Sequence, residues 1–244
     1  MPFLARARAA HSELDKAQQE LAQLAGGHSG KVAIGFGPLA AALVLPRAVQ
    51  RFREQYPSVE LRLLEGFAHA LMPLTRDETL DMMIGPRLPG HRADPSVRYR
   101  PIFSNDQIVV GRRAHPLARA RSINELADVC WLSFEPRVVI DRVLVALGLT
   151  GARQLIQCES LNVMLALLAE TDMLAVTSRR MLSLRQAGTV LLEIRTAERM
   201  LPMTTGLFTR ADAPLTPVAA AMAKALVEIG RELPAIEAAT TRQP

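Results

Sequence analysis

The chain has 244 residues, 49% of them hydrophobic and 22% charged, enough to bury one or two cores and too apolar to stay disordered. Its 29 Lys and Arg against 24 Asp and Glu give a net charge of +5, yet the basic residues are scattered and aromatics make up only 4%, so charge alone makes a poor case for nucleic-acid binding. There is no run of about 18 uncharged apolar residues to span a bilayer and no apolar signal core near Met1, so a cytoplasmic protein without a membrane partner is expected.

Phe3, Ala7, Ala10, Leu14, Ala17, Leu21 and Leu24 recur in steps of four and three, a heptad seam on a helix spanning about residues 1–26. Such a helix cannot bury its stripe alone. It either folds back on its own domain or, the better reading, pairs with a second copy, because Gly26 to Gly30 detach it from the rest of the chain.

After this hinge the pattern becomes strand, helix, strand, helix, strand. "KVAIGF" reads as a strand; Pro38 suits the first position of a helix, and Leu39, Leu43, Val49 and Phe52 share one face of it. Pro46 must kink or divide that helix. "VELRLLEG" alternates Val59, Leu61 and Leu63 as a strand, Phe67 to Arg76 reads as a helix, and "DMMIGP" as a short apolar strand. This order implies parallel pairing with right-handed crossovers. The turn-rich stretch "RLPGHRADPSVRYRPIF" then reads as the chain leaving the first sheet, ahead of a strand centred on Ile108 to Val110. A second α/β unit comes next: "INELADVCWLSF" as helix then strand, Val138 to Leu147 as helix, "RQLIQCE" as strand, Leu161 to Ala169 as helix, and "MLAVTS" and "VLLEI" as strands. The tail holds a strand, "TTGLFTR", and a helix to about Glu232 with Thr216 as N-cap and Pro217 at N1, whose apolar face is Val218, Met222, Ala225, Leu226 and Ile229.

The turn "GFGPLA" ends a strand on glycines and enters a helix at Pro38, leaving backbone N–H groups at Leu39 and Ala40 without intrahelical acceptors. A carboxylate, sulfonate or phosphate suits that geometry; a plain packing turn is the alternative. A dinucleotide does not fit well, because Pro38 directly follows Gly37 and Pro46 interrupts the long helix such a fold needs. Two other strand ends obey the same logic. Gly85, Pro86 and Arg87 close one strand, and Phe134, Pro136 and Arg137 lie just past another; each arginine can grip an acid through two N–H groups or simply be a surface charge. Leu161 beside the helix N-terminus at Ser160, and the hydroxyl of Thr177, lie near further strand ends.

Catalytic patterns are poor, and no catalytic residue, cofactor or metal ligand is assigned. The five histidines show no HExxH spacing, and neither a GxSxG elbow nor a Walker A loop is present. Cys130 and Cys158 lack CxxC spacing, which argues against a disulfide framework or thiolate metal site.

The order of these segments resembles the linker helix and effector-binding domain of the LysR-type transcriptional regulators. The residues that carry the resemblance are "ELDKAQQELAQLAGGHSGKVAIGF", "LPRAVQRFREQYPSVELRLLEG", "LDMMIGP", "PIFSNDQIVVGRRAHPLA", "ELADVCWLSF" and "TPVAAAMAKAL". The resemblance implies an α/β fold of two Rossmann-like lobes of the type II periplasmic-binding-protein kind, preceded by a long dimerisation helix. Residues 31–102 with 207–235 would form lobe I and residues 103–206 lobe II, with a small effector between them. It places the effector on Gly37, Pro38 and Leu39, on Gly85 to Arg87, on Phe134 to Arg137, and at Val176 and Thr177. Pro38 stands where many members carry a hydroxyl, and Thr171 and Asp172 replace the usual glycine-rich approach to the last lobe II strand.

The family's N-terminal winged helix-turn-helix has no counterpart here, so the chain is expected to be a fragment that reaches operator DNA only through that missing domain. The expected role is therefore effector sensing and homo-oligomerisation, as dimer or tetramer, within a regulator and without enzymatic turnover. The expected effector is a small organic acid, from the apolar surroundings of Leu39, Phe134 and Leu161 with Arg87 or Arg137. A solute-binding protein of a transport system is the alternative on the same fold.

Overall fold

The computed structural model describes residues 29–87, 94–149 and 154–234; the heptad helix expected over residues 1–26 lies outside them. In chain order the elements begin with β1 (Gly30–Phe36), α1 (Pro38–Leu43), α2 (Leu45–Gln55), β2 (Val59–Glu65), α3 (Ala68–Arg76), β3 (Met82–Arg87), β4 (Val97–Asn105) and β5 (Gln107–Arg112). They continue with β6 (Cys130–Ser133), α4 (Arg137–Ala146), β7 (Gln154–Gln157), α5 (Leu161–Glu170), β8 (Leu174–Ser178), α6 (Arg185–Val190), β9 (Leu191–Ile194), β10 (Met203–Arg210) and α7 (Pro217–Arg231). The described residues divide into two units, one reaching Phe103 and including Thr204–Leu233, the other comprising Ser104–Met203 with Pro234.

The first unit is built on a sheet of order β2-β1-β3-β10-β4. β1 runs parallel to both β2 and β3, as the alternation of strands and helices implies, and β10 runs antiparallel to β3. Covered on both faces, the central strands bury unbroken runs instead of alternating, Met82 to Gly85 in β3 and Thr205 to Phe208 in β10. Val32, Ile34 and Phe36 of β1 enter one core with Ala40, Val44, Ala48 and Phe52 and with Val218, Met222, Leu226 and Ile229 of α7. On the opposite face Leu71 and Met72 of α3 pack with Leu80, Met83 and Phe208. Gly35 allows this second layer to close, since a Cβ there would stand 2.8 Å from Leu80 Cδ1.

Pro46 divides the first helix. Its missing N–H would have bonded to the carbonyl of Ala42, and the chain breaks at Val44 before α2 begins with the proline in its first turn. The buried face also shifts from the expected one: Ala40, Val44, Ala48 and Phe52 are the deepest positions, while Leu39, Leu43 and Val49 pack around their rim. In β2 the alternation is only partly expressed as burial, because this is an edge strand: Val59 is buried and Leu63 is 42% exposed.

The expectation that the chain leaves the first sheet after β3 is corrected by β4. "VRYRPIFSN" forms its outer edge beside β10. Edge strands tolerate Arg98, Arg100 and Pro101, the residues that make the stretch read as a loop. α7 starts as expected, with the Thr216 hydroxyl accepting the Ala219 N–H at 3.4 Å.

The second unit has a sheet of order β7-β6-β8-β5-β9, with β6 parallel to β7 and β8, and β5 antiparallel to β8 and β9. Its core surrounds the fully buried Trp131 with Val109, Ile123, Leu126, Ile140, Leu144 and Leu174. The expected helix at "INELADV" is a short 3-10 turn, Ile123–Leu126, closed by a capping box: the Ser122 side chain caps the N-terminus and Glu125 Oε1 accepts the Ser122 N–H at 2.9 Å. A further 3-10 turn, Arg179–Ser183, and α6 occupy a stretch in which the sequence pattern signals no element.

Candidate functional site

In the first unit the parallel pairings bring three turns to one end of the sheet. Phe36 is level with Glu65 of β2 and Ile84 of β3, so the residues after these strands meet at their carboxyl ends, where open α/β sheets bind ligands. The contact is close: a methyl added to Gly37 would lie 3.9 Å from the Gly66 carbonyl oxygen and 4.0 Å from Pro86 Cδ. Backbone bonds fix the arrangement, with Gly37 N–H donating to Ile84 O at 3.1 Å and Gly66 N–H to Phe36 O at 3.0 Å. Gly37 and Pro86, both nominated by sequence, are therefore brought together. Gly66 joins them and was missed, although a glycine directly after an alternating strand is the same signal that singles out Gly37 and Gly85.

Gly37 is the N-cap of α1 in extended conformation, with no side-chain cap, and Pro38 is the first helical residue. The first helical bond is Ala41 N–H to Gly37 O at 3.0 Å, so the N–H groups of Leu39 and Ala40 have no acceptor within the helix. α1 has six residues, which limits its dipole. The Ala40 side chain lies in the core and that of Leu39 packs against it; what these residues present is backbone. Phe67, the N-cap of α3 and buried, stacks on His69 at 6.3 Å beside the same turn.

Gly85 is buried, opposite Gly206 of β10, and Arg87 opposite Thr204. Alternation sends Pro86 and Arg87 to opposite faces of the sheet. Pro86 meets Gly37, while the Arg87 guanidinium lies over the ring of Tyr99, 5.1 Å from its centroid. The Tyr99 phenol is pushed up from its ordinary pKa by burial, against the opposing pull of Arg87.

In the second unit β6, β7 and β8 also end on one side. Ser133 is level with Gln157, and Leu132 with Ala175, so the residues after β6 and β7 and the end of β8 gather at one edge of the sheet. Cys158 N–H donates to Ser133 O at 2.9 Å, and Ser133 Oγ accepts from Glu135 N–H at 3.0 Å, holding the turn that leads to Pro136. Phe134 and Pro136 are half-buried and Thr177 is buried. Pro136 is the N-cap of α4, and Arg137 at its first position is exposed, with Nε 3.2 Å from Asp141 Oδ2 one turn on. Leu161 is half-buried at the start of α5, whose N-cap Ser160 accepts the Val163 N–H at 3.4 Å.

Thr171 and Asp172 precede β8 and so lie at the other end of the sheet from Thr177, where Arg112 Nε donates to Asp172 Oδ1 at 2.7 Å. Cys130 and Cys158 likewise flank opposite ends of the β6–β7 ladder. Among the described residues no group of three His, Cys, Asp or Glu side chains is placed to hold a metal ion, and no helix is long and apolar enough to cross a membrane.

Comparison with known proteins gives the architecture a family. The model of the LysR substrate binding domain matches residues 25–231. The HTH-type transcriptional regulator GalR of Pseudomonas putida is 27% identical over 220 residues, covering 88% of this chain and 55% of that protein. The chain spans about half the length of curated relatives such as this one and the regulator GbpR of Azospirillum brasilense. The regulatory domain of CcmR from Synechocystis PCC6803, solved with 2-PG, superimposes with a TM-score of 0.71 at 18% identity, covering 84% of this chain and all of that one. The effector-binding domain of QuiR, solved with shikimate, gives 0.69 at 16% identity, covering 83% and 98%. These neighbours share the type II periplasmic-binding-protein fold, and the relatives are transcriptional regulators. The chain belongs to the LysR substrate binding domain family.

Proposed function

We propose that this chain is the effector-sensing portion of a cytoplasmic, homo-oligomeric LysR-type transcriptional regulator, and that it binds a small organic acid without converting it. The observation that carries the regulatory part is the family match over residues 25–231. It weighs against the solute-binding alternative, since the relatives it brings are regulators. DNA contact belongs to a winged helix-turn-helix of the full-length regulator, and effector binding alters transcription by favouring one arrangement of that protein over another.

The acid-binding part draws on the chemistry of the turns. Leu39 and Ala40 offer backbone N–H groups and Gly37 and Pro86 a close apolar wall, while Gly85 and Arg87 belong to the opposite face of the same strand end, where Arg87 supplies a full positive charge. In the second unit Phe134, Pro136, Leu161 and Thr177 offer an apolar surface with one hydroxyl, and Arg137 a second cation. Thermal denaturation with a panel of carboxylates and sulfonates tests the reading. A stabilising acid whose effect is lost in Arg87→Ala or Arg137→Ala is the expected result. An absence of stabilisation by every anion, or equal stabilisation of the wild type and both variants, overturns it.

A further inference from the structure

Arg87 is the last residue of β3 and Tyr99 lies on β4, with β10 between them. The bare backbone at Gly206 makes room for the Tyr99 ring. Gly85 and Gly206 face each other in the β3–β10 register, so the surface between the two outer strands carries no side chain there. A Cβ at Gly206 would fall 2.4 Å from Tyr99 Cε2 and 2.7 Å from its Cζ, which places the phenol ring against the β10 backbone there. The ring is held on two further sides: Tyr99 Oη donates to Thr204 O at 3.1 Å, and the Phe208 ring packs 4.7 Å away. The Arg87 guanidinium rests on this fixed ring.

We propose that Tyr99 is a positioning residue for effector recognition, presenting the Arg87 guanidinium to an acidic ligand through its ring face and the bare glycine track beneath it. This rests on the reading of Arg87 as an effector anchor. A guanidinium carries five N–H groups in a fixed fork, so a contact with one ring leaves donors available for two parallel bonds to a carboxylate. Among the described residues no carboxylate is paired with Arg87. A long side chain on a rigid platform also loses less freedom when an acid binds.

The test uses benzoate and shikimate as probe acids, with dissociation constants from calorimetry. Tyr99→Phe keeps the ring face and binds within about twofold of wild type, whereas Tyr99→Leu weakens binding about three- to tenfold. Arg87→Ala with Tyr99→Leu together bind no worse than Arg87→Ala alone. Additive losses in the double variant, or no loss in Tyr99→Leu while Arg87→Ala weakens binding, overturn the positioning role and leave the anchor reading standing. Unchanged binding in Arg87→Ala, or no binding of either acid, removes the anchor and the proposal with it. A spectroscopic readout checks the contact itself. The chain has two tyrosines, so Tyr56→Phe leaves Tyr99 as the sole phenol. Because Arg87 favours the phenolate, Arg87→Ala must shift the Tyr99 ring NMR titration to higher pH. An unshifted titration overturns the proposal even if Tyr99→Leu fails to fold.

Discussion

Arg51 on α2 donates from both Nη1 and Nη2 to Glu232 Oε1, each at 3.1 Å, joining residues 181 apart in sequence at the far end of α7. Arg47 adds a bond to Glu232 Oε2 at 2.8 Å, and Glu228 lies 3.7 Å from Arg51. These side chains are 40–57% exposed, so water screens them and each pair contributes about 0.2–1 kcal/mol. Glu232→Ala should therefore cost about 1 kcal/mol or less in dilute buffer and almost nothing near ~1 M NaCl. Urea titrations at both ionic strengths measure this; a loss that persists in high salt would mean packing rather than charge.

Gly206 tests the track under Tyr99. A Cβ there meets Arg100 O at 2.6 Å as well as the Tyr99 ring, and backbone cannot swing away as a side-chain tip can. Gly206→Ala should destabilise the first unit by about 1–3 kcal/mol, read as a lower urea midpoint. Unchanged stability would show that β4 and β10 can separate without cost.

Two carboxylates predict acid sensitivity. Asp94 accepts from the Ser96 hydroxyl and N–H and from Arg76, which together lower its pKa from 3.8 to about 2. Glu198 is lowered by the Ser122 hydroxyl, 2.8 Å away, and by the Ile123 N–H at 2.9 Å. A depressed folded pKa means the unfolded chain binds the proton first. The stabilisation is thus complete above the ordinary carboxylate pKa and lost as pH falls through the folded value, from 3.8 toward about 2 for Asp94. Asp94→Asn and Glu198→Gln should each flatten the fall in thermal midpoint on acidification. A fall as steep as that of wild type in both would rule out these two groups as its source.

Trp131 is the chain's single tryptophan and is fully buried in the second unit. Its emission reports that unit by itself, whereas far-UV circular dichroism reports both. Leu144→Ala, in the same core cluster, should lower the tryptophan-detected stability by about 2–5 kcal/mol. If dichroism detects an equal shift throughout its whole amplitude, the two units unfold as one.

Most of the elements can be read from local chemistry. Pro38 and Pro46 punctuate the first helices as their missing donors require, and Thr216 with Pro217 starts α7. Reading fails where sheet position overrides pattern. β4 carries Arg98, Arg100 and Pro101 because it is an edge, a fact decided by the return of β10 about 100 residues later. The strand-end turns are legible as glycines after strands. Their convergence needs the register, and the partner of Arg87 is hidden because Tyr99 lies in the stretch that reads as a loop.

The place of β10 has a consequence for biosynthesis. A ribosome delivers β1 to β4 early, yet β3 and β4 are not neighbours; the strand that separates them, and α7, which covers one face of the sheet, emerge last. All five strands of the second unit's sheet are present once Ile194 has appeared. Vectorial synthesis therefore completes the second unit's sheet first and leaves the first with an open β3 edge until β10 follows, and an unpaired strand edge is a template for aggregation.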